Sequence, residues 1–283
     1  MAYQFIDVAE EDGVLIITLN DPSTRNAIGD EMAGELGQEL ERLDADADLR
    51  ALVLTGTDPS FCSGANVKRM AQANEDREED PPPNGISPWD HLQNQWDIMA
   101  TGDSYMDGVR FVPLKLHNLQ KPSIAAVNGY AMGLGMGIAL SCDIRIASES
   151  ARFSETFIRR GLIPADGSCW QLPRMIGISN TYMMQYTGDA VEAQEAHRLG
   201  MISKVTPHAE LMDTTMELAR RLASGPTYSM SLIKKLVQES LFKNLEESLL
   251  LAGPAQNIAR STFDHKEGVR AFVEKRQPAY KGR

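Results

Sequence analysis

Residues 128–137 constrain the fold of this chain more than any other segment. The segment reads NGYAMGLGMG, with glycine at positions 129, 133, 135 and 137. A buried strand is predicted just before it, over residues 121–129, and a buried helix just after it. Glycines in such a turn let a ligand approach the backbone closely, and a helix start offers unpaired N–H groups at a positive dipole end. The segment therefore predicts a site that binds an anion or stabilises an oxyanion.

The same glycine pattern occurs in two further kinds of structure. A dinucleotide-binding turn also has glycines between a strand and a helix, and Gly133 and Gly135 fit that pattern. However, the third glycine of the pattern is replaced by Ile138, and the segment lies in the middle of the chain rather than in a first βα unit. The second possibility, a glycine-rich close packing of helix on sheet without any ligand, stays open.

The remainder of the chain alternates between strand and helix patterns before it becomes mostly helical. Strands are predicted over residues 13–19, 51–56 and 143–147, and a helix over residues 28–43. Such alternation implies right-handed crossovers and a largely parallel α/β core. From Thr181 onward helices dominate the pattern. They are predicted over residues 211–222, 228–242, 245–263 and 265–275.

Residues 71–112 break this alternation. An acidic run over residues 75–80 is followed by three prolines at positions 81–83, a composition that predicts a solvated insert. Trp89 and Trp96 lie seven residues apart, a spacing that fits one helix face. These two side chains are expected either to pin the insert to the body or to line a substrate pocket, because long loops often carry function.

Charge and cysteine content exclude several classes of function. The 283 residues carry a formal charge of −11, which argues against nucleic-acid partners but allows a local basic patch that binds a small polyanion. Three scattered cysteines indicate no disulfide framework, and the five histidines lack the spacing of metal ligands. Neither a signal peptide nor a membrane-spanning stretch is visible, so a cytoplasmic protein without membrane partner, metal or separate cofactor is expected.

Several short motifs occur in an order and spacing that are specific as a set. They are RNA at 25–27, SFCSGAN at 60–66, KP through NG at 121–129, SCDIRIA at 141–147, GLIP at 161–164 and the ending from EG at 267–268 to KR at 275–276. On these motifs the chain resembles the crotonase (enoyl-CoA hydratase/isomerase) superfamily over nearly its whole length. The resemblance implies an α/β fold, a ClpP-like spiral of ββα units. It also divides the chain into a core over residues 1–200, with the insert at about 71–112, and a helical trimerisation region over residues 201–283.

The resemblance also implies a ligand and the residues that hold it. Members of the superfamily bind a coenzyme A (CoA) thioester and polarise its carbonyl group with two backbone N–H groups. By position in this sequence, those donors are Ala65 in the small-residue loop and Leu134 in the glycine-rich turn. CoA enters as part of the substrate.

Further residues are implied to contact CoA. Arg25 and Ala27 lie in the segment near which the family places the adenine and pantetheine. Phe272 and Lys275 match positions that reach the CoA of a neighbouring subunit. A homotrimer, or a hexamer formed as a dimer of trimers, is therefore expected.

The sequence departs from the hydratases of this superfamily at both acid–base positions. Those enzymes use two glutamates, whereas the matching positions here are Gly137 and Phe157. Asp166 is the strongest replacement, with Glu155 as a second candidate. Asp166 could instead cap the helix that follows it, and Glu155 could be a surface or structural carboxylate. Cys62 lies beside the oxyanion loop but has no visible basic partner that would make it a nucleophile.

These observations leave three functions open. The first is an acyl-CoA or enoyl-CoA enzyme of hydratase/isomerase type in which Asp166 moves the proton, since a single carboxylate suits proton transfer between carbons. The second is a hydrolase of the same fold, acting on a thioester or on a carbon–carbon bond beside a ketone. The third is an acyl-CoA-binding protein without catalytic activity.

Overall fold

The structure is a computed structural model that describes residues 3–67, 71, 75, 87–90, 92 and 111–283. Its strands are β1 (Ile6–Glu11), β2 (Val14–Leu19), β3 (Ala51–Gly56), β4 (Ser60–Cys62), β5 (Ser123–Val127), β6 (Tyr130–Met132), β7 (Ile144–Ser148), β8 (Arg152–Ser154), β9 (Val191–Glu192) and β10 (Lys204–Thr206). Its helices are α1 (Asp30–Ala45), α2 (Phe111–Asn118), α3 (Leu134–Ser141), α4 (Ser168–Ile176), α5 (Ile178–Thr187), α6 (Ala193–Arg198), α7 (Leu211–Ala223), α8 (Thr227–Ser240), α9 (Leu245–Ser261) and α10 (Phe263–Glu274).

The larger sheet has the strand order β1-β2-β3-β5-β7-β10. Strands β1 and β2 form an antiparallel pair, and the strands from β2 to β10 are parallel. Along β3, Leu52 and Leu54 enter one hydrophobic cluster while Ala51 and Val53 enter a second cluster on the opposite face. Because successive side chains of a strand point to opposite faces, this sheet is buried on both sides.

The smaller sheet has the order β4-β6-β8-β9, in which β4, β6 and β8 are parallel. Each of these three short strands follows a strand of the larger sheet after a corner of two or three residues. The chain therefore repeats one unit, a strand in the larger sheet followed by a strand in the smaller one. This arrangement confirms the spiral of ββα units that the resemblance implied.

The C-terminal helices play two different parts. Helix α7 packs its apolar side, including Leu211, Met216 and Ala219, onto the second cluster of the larger sheet. Helices α8, α9 and α10 leave many large apolar side chains exposed. After α10 the final residues turn back along this helix, and Asp264 in its first turn accepts hydrogen bonds from the backbone N–H groups of Lys281 and Gly282.

Element bounds follow the predictions closely outside the insert. The helices predicted over residues 211–222 and 228–242 are α7 and α8, and the strand predicted over residues 143–147 is β7. Strand β10 extends the larger sheet past residue 200. Trp96 and most of the predicted insert lie outside the described residues, and Trp89 is 80% exposed. Across the described part of the chain, no helix is long and apolar enough to span a membrane.

Candidate active site

The loop after β4 presents the N–H group of Ala65 to a cavity. The N–H group of Ile28 donates a hydrogen bond to the carbonyl oxygen of Gly64 at 2.8 Å. The carbonyl oxygen of Ile28 accepts a hydrogen bond from the N–H group of Asn66 at 3.2 Å. Backbone groups alternate in direction along an extended segment, so the N–H of Ala65 points away from Ile28. Among the described residues it has no hydrogen-bond acceptor.

The second predicted donor, Leu134, is the first residue of α3 and lies against this loop. Its N–H group likewise has no acceptor within the described ranges, as expected at the start of a helix. Gly64 has a φ of +102°, and a Cβ there would lie 2.7 Å from the carbonyl oxygen of Met132. A glycine is therefore required for the two segments to meet. Ala65 and Leu134 line one small cavity of about 30 Å³.

Position 137, where a hydratase glutamate is expected, is filled from another part of the chain. A Cβ on Gly137 would lie 2.3 Å from Oδ2 of Asp166 and 2.6 Å from its Cγ. The carboxyl group of Asp166 therefore occupies the space that a side chain at position 137 would need. Asp166 precedes α4, and Gly137 lies one turn into α3.

The two carboxyl oxygens of Asp166 have different surroundings. Oδ1 accepts hydrogen bonds from the backbone N–H and the hydroxyl group of Ser168, at 3.1 and 2.7 Å. Oδ2 is buried and has no partner among the described residues. Burial raises the pKa of Asp166, and the hydrogen bonds from Ser168 oppose that rise. The N-cap position of α4 is Gly167 rather than Asp166, so Oδ1 holds the first residue of the helix without capping it, and Oδ2 makes no hydrogen bond within the described ranges.

Glu155 is a second buried carboxyl group close to Asp166. It is fully buried after β8, and neither of its oxygens has a hydrogen-bond partner in the described part of the chain. Burial raises its pKa well above the usual range, and the charge of Asp166 raises it further. It is not a surface carboxylate. Its burial keeps it protonated at pH values where an exposed glutamate is ionised.

Asp166 lines a second, larger cavity of about 320 Å³. The lining residues are Pro113, Leu114, His117, Ser141, Ala165, Asp166, Gly167, Trp170 and Gln171. The rings of His117 and Trp170 meet edge to face with centroids 5.3 Å apart. Burial lowers the pKa of His117, which favours its neutral form. The cavity is therefore walled mainly by apolar and aromatic groups, with Asp166 at one side.

The residues implied to contact CoA are not all brought together in one chain. Arg25 is exposed, in the left-handed backbone region, and its carbonyl oxygen accepts a hydrogen bond from the N–H of Ser63 beside the oxyanion loop. Ala27 is buried in the same segment. Phe272 lines a separate groove of about 720 Å³ between the C-terminal helices, and Lys275 ends α10. Neither Phe272 nor Lys275 lines the small cavity of Ala65 and Leu134 or the larger cavity of Asp166.

Three residues of the site were not singled out from the sequence. Asn26 is fully buried, and its amide donates to the carbonyl oxygens of Thr57 and Ser60, which holds the Arg25 segment against β4. Ser168 holds Oδ1 of Asp166, and Gln171 donates to the hydroxyl of Ser141 at 3.0 Å. The sequence offered one signal, because Ser168 follows Asp166 by two residues, a common spacing for local side-chain hydrogen bonds.

Other chemistries find little support in this site. Burial raises the pKa of the Cys62 thiol to about 12, so it stays protonated and is a poor nucleophile. Within the described ranges no group of three His, Cys, Asp or Glu side chains could hold a metal ion.

Comparisons with known proteins show the family and the fold of this chain. The family model described as Enoyl-CoA hydratase/isomerase matches residues 9–100 and 102–283. The 1,2-epoxyphenylacetyl-CoA isomerase of Escherichia coli (strain K12) is 37% identical over 281 residues, which are 99% of each chain. The short-chain-enoyl-CoA hydratase of Clostridium acetobutylicum is 30% identical over 272 residues, 95% of each chain. A crystal structure of an enoyl-CoA hydratase from Bacillus anthracis, 30% identical, has a TM-score of 0.83 and covers 99% of this chain and 100% of its own.

Proposed function

The chain belongs to the crotonase (enoyl-CoA hydratase/isomerase) family of acyl-CoA enzymes, and we propose that it is an isomerase whose proton-transfer group is Asp166. The observation that carries the proposal is the position of the Asp166 carboxyl group beside Gly137. It supplies one carboxyl group at the place where a hydratase glutamate is expected, while Phe157 leaves the second position without one.

The proposed reaction uses one carboxyl group twice. The N–H groups of Ala65 and Leu134 hold the thioester oxygen and stabilise the enolate that forms when a proton leaves carbon. Such an oxyanion contribution is typically worth several kcal/mol. Oδ2 of Asp166 takes the proton and returns it to another carbon, so no water enters the product. The raised pKa of Asp166 suits this cycle. It makes the carboxylate a stronger base toward the carbon-bound proton, and the protonated form then gives the proton up to a strong base such as the enolate.

The names of relatives support an isomerase without fixing the substrate. The Escherichia coli relative at 37% identity is named as an isomerase of 1,2-epoxyphenylacetyl-CoA. The relative at 30% identity is named as a hydratase. Because the usual pair of glutamates is missing here, the isomerase name fits this site better than the hydratase name.

CoA binding and assembly form the second part of the proposal. Arg25 and Ala27 contact the CoA moiety in the same subunit, and Phe272 and Lys275 reach the CoA bound by a neighbouring subunit. This arrangement requires a homotrimer or a hexamer. It is supported by the lining of the two cavities, because the groove that contains Phe272 shares no residue with the cavity that contains Asp166. The cytoplasmic location stays a prediction.

The test is turnover of a panel of 2-enoyl- and 3-enoyl-CoA thioesters in deuterated water. The products are identified by mass spectrometry. Wild-type enzyme is expected to move the double bond and to exchange carbon-bound hydrogen without gaining the mass of water. The Asp166→Asn variant is expected to lose about 10²- to 10⁴-fold in rate. The exposed Asp189→Asn variant is the control and should keep the wild-type rate. Unchanged turnover in Asp166→Asn would show that another group moves the proton.

Hydrolysis is a second candidate, because Oδ2 of Asp166 is unbonded and could orient one water molecule. The same panel, extended to a thioester with a ketone at carbon 3 and run in ¹⁸O-labelled water, separates the two reactions. Cleavage with one ¹⁸O atom in the acid product supports hydrolysis. Double-bond movement without label supports the isomerase.

A further inference from the structure

Helix α8 contacts the three helices that build the Asp166 cavity. Lys234 and Gln238 stand at positions i and i+4 of α8, so they share a face. Phe242 follows in the next turn of the chain, where its N–H group donates to the carbonyl oxygen of Glu239. These three side chains contact the end of α3, the end of α2 and the side of α4. The same three helices supply walls of the cavity that Asp166 lines.

The first contact is an ion pair that joins α8 to the end of α3. Nζ of Lys234 lies 2.9 Å from Oδ1 of Asp143, and the two side chains are 12% and 29% exposed. Asp143 follows the last residue of α3 by two positions, and its Oδ2 accepts a hydrogen bond from the backbone N–H group of Ser123 at 2.9 Å. Because both side chains are largely shielded from water, salt screens their attraction less than that of an exposed pair.

The second and third contacts hold two residues of the cavity wall. Nε2 of Gln238 donates to the carbonyl oxygen of His117 at 2.8 Å. The ring of Phe242 stacks on that of Trp170, with centroids 6.1 Å apart and an interplanar angle of 26°. The guanidinium group of Arg174 lies over both rings, 4.3 Å from the centroid of Trp170 and 5.5 Å from that of Phe242. The position of α8 therefore influences the positions of α2 and α4.

Apolar packing alone does not fix α8 on the core. A crevice of about 440 Å³ lies between them, and it is lined by Met230 and Val237 of α8 and by Leu140 and Met175 of the core. Side chains that border an unfilled space lose contacts on that side. The ion pair, the hydrogen bond and the ring stack are thus the specific contacts that set the place of this helix.

The spacing between α3 and α4 determines where the carboxyl group of Asp166 lies. Ser168, the first residue of α4, holds its Oδ1, while its Oδ2 lies 2.3 Å from the place of a Cβ on Gly137 in α3. A shift of α4 relative to α3 would therefore move the carboxyl group away from Gly137. A displacement of about 1 Å in a reacting group can cost roughly 100-fold in rate.

We propose that Lys234 is a positioning residue for Asp166, and that with Gln238 and Phe242 it holds α2, α3 and α4 at the spacing that proton transfer requires. The inference rests on the proposed function, since it takes Asp166 as the proton-transfer group. Lys234 acts through other residues, because it lines neither the cavity of Asp166 nor the small cavity of Ala65 and Leu134.

Steady-state kinetics of Lys234→Met tests the proposal, with the enoyl-CoA thioester that the wild-type enzyme isomerises fastest. Methionine keeps the apolar part of the side chain but carries no charge. We expect kcat to fall about 10- to 100-fold while KM changes little. Lys234→Arg keeps the cation and should retain most of the wild-type kcat. Lys235→Met is the matched control, because the ion pair of Lys235 with Glu239 lies within α8, and it should keep the wild-type kcat.

Two further measurements keep the test independent of one variant and of turnover. Hydrogen–deuterium exchange of full-length Lys234→Met should show faster exchange in α2 and α4 than in wild type, and unchanged exchange in α1. Phe242 is 65% exposed, so Phe242→Leu is expected to fold even if Lys234→Met does not. It removes the ring stack on Trp170 and should lower kcat about 2- to 10-fold.

Each contrary result overturns the inference at a defined point. Wild-type kcat in both Lys234→Met and Phe242→Leu would show that α8 does not position the proton-transfer group, and so would an equal loss in Lys235→Met. A raised KM with unchanged kcat would assign α8 to substrate binding instead. Unchanged exchange in α2 and α4 would show that α8 does not hold them. Failure of the proposed function is recognised separately, by full turnover in Asp166→Asn.

Discussion

A single carboxyl group and a single glycine explain how this site can differ from a two-glutamate hydratase. The carboxyl group of Asp166 stands where a side chain at position 137 would otherwise be, so the two positions are mutually exclusive. We predict that Gly137→Ala displaces Asp166. Overpacking of this kind costs about 1–3 kcal/mol of unfolding free energy, and turnover should fall with it. Urea unfolding and the isomerase assay measure both.

The control for this prediction is another helical glycine. Gly34 lies on the exposed side of α1, and a Cβ there meets no atom within 4 Å. Gly34→Ala should raise the unfolding free energy by up to about 1 kcal/mol, because alanine favours helix. If Gly137→Ala behaves like Gly34→Ala, the carboxyl group of Asp166 does not occupy the space beside α3 in solution.

The second residue-scale prediction concerns Glu155. Its pKa in the folded protein is raised by burial and by Asp166, so the unfolded chain releases this proton at a lower pH than the folded protein does. Between the ordinary glutamate pKa and the raised pKa, the folded protein holds this proton and the unfolded chain does not. The free energy of unfolding therefore falls as pH rises through this range. Glu155→Gln does not titrate, and its melting temperature relative to wild type should therefore rise as the pH increases above the ordinary glutamate range.

The exposed residue Gln38 provides the comparison for this experiment. Gln38→Ala changes no titratable group, so its melting-temperature difference from wild type should stay nearly flat over the same pH range. A flat difference for Glu155→Gln as well would mean that Glu155 ionises normally in the folded protein. It would then have to be in contact with water or a cation.

Individual site residues were predictable from sequence only where chemistry limited the choice. Asp166 was selected as a candidate because both glutamate positions were vacant and it follows Pro164 and Ala165 at a predicted helix start, where the resemblance also implies an aspartate. Gln171 and Ser141 were not, because they lie thirty residues apart and meet only when α3 and α4 pack together. Their hydrogen bond depends on that packing, and a sequence pattern does not carry that information.

At the scale of elements, helix α3 depends on a buried arginine beyond its C-terminal end. The guanidinium group of Arg145 donates to the carbonyl oxygens of Leu140 and Cys142, which follow one another closely at the end of α3, and to that of Met201. Burial lowers its pKa, yet an arginine remains charged. We predict that Arg145→Met lowers the unfolding free energy by about 2–4 kcal/mol, because three buried carbonyl groups lose their donor.

Chemical denaturation of Arg145→Met beside Arg198→Met checks this prediction. Arg198 forms a surface ion pair with Glu195, and exposed pairs of this kind contribute little to stability. Equal effects of the two substitutions would show that the carbonyl groups near α3 find other donors when Arg145 is absent.

Elements themselves were well predicted where one pattern dominated. Strands β3 and β5 are continuous apolar runs ended by glycine or asparagine, and such runs are typical of parallel strands covered on both faces. The short strands β4, β6 and β8 were not predicted, because three residues are too few to show a period. They were part of the expected loops and turns, and only the pairing of distant segments makes them a sheet.

At the scale of the whole molecule, the C-terminal helices leave several large apolar side chains exposed, and clustered exposed apolar groups often mark an interaction surface. Leu250 on α9 and Val273 on α10 are 71% and 75% exposed, and a long groove runs between α8, α9 and α10. The amphipathic pattern of this region was predicted from sequence. In the proposed trimer or hexamer, neighbouring copies of the chain would cover these exposed apolar faces.

The final prediction joins assembly to substrate binding. Wild-type protein should elute with a mass three or six times the 31.2 kDa of one chain in light scattering. Leu250→Asp places a charge on the exposed apolar face, so it should lower the mass and weaken CoA-thioester binding, because Phe272 and Lys275 of a neighbour are then absent. Gln38→Asp adds the same charge to an exposed site on α1 and should change neither. A wild-type monomer that binds CoA thioesters tightly would show that one chain completes the site, and Phe272 and Lys275 would then have no part in it.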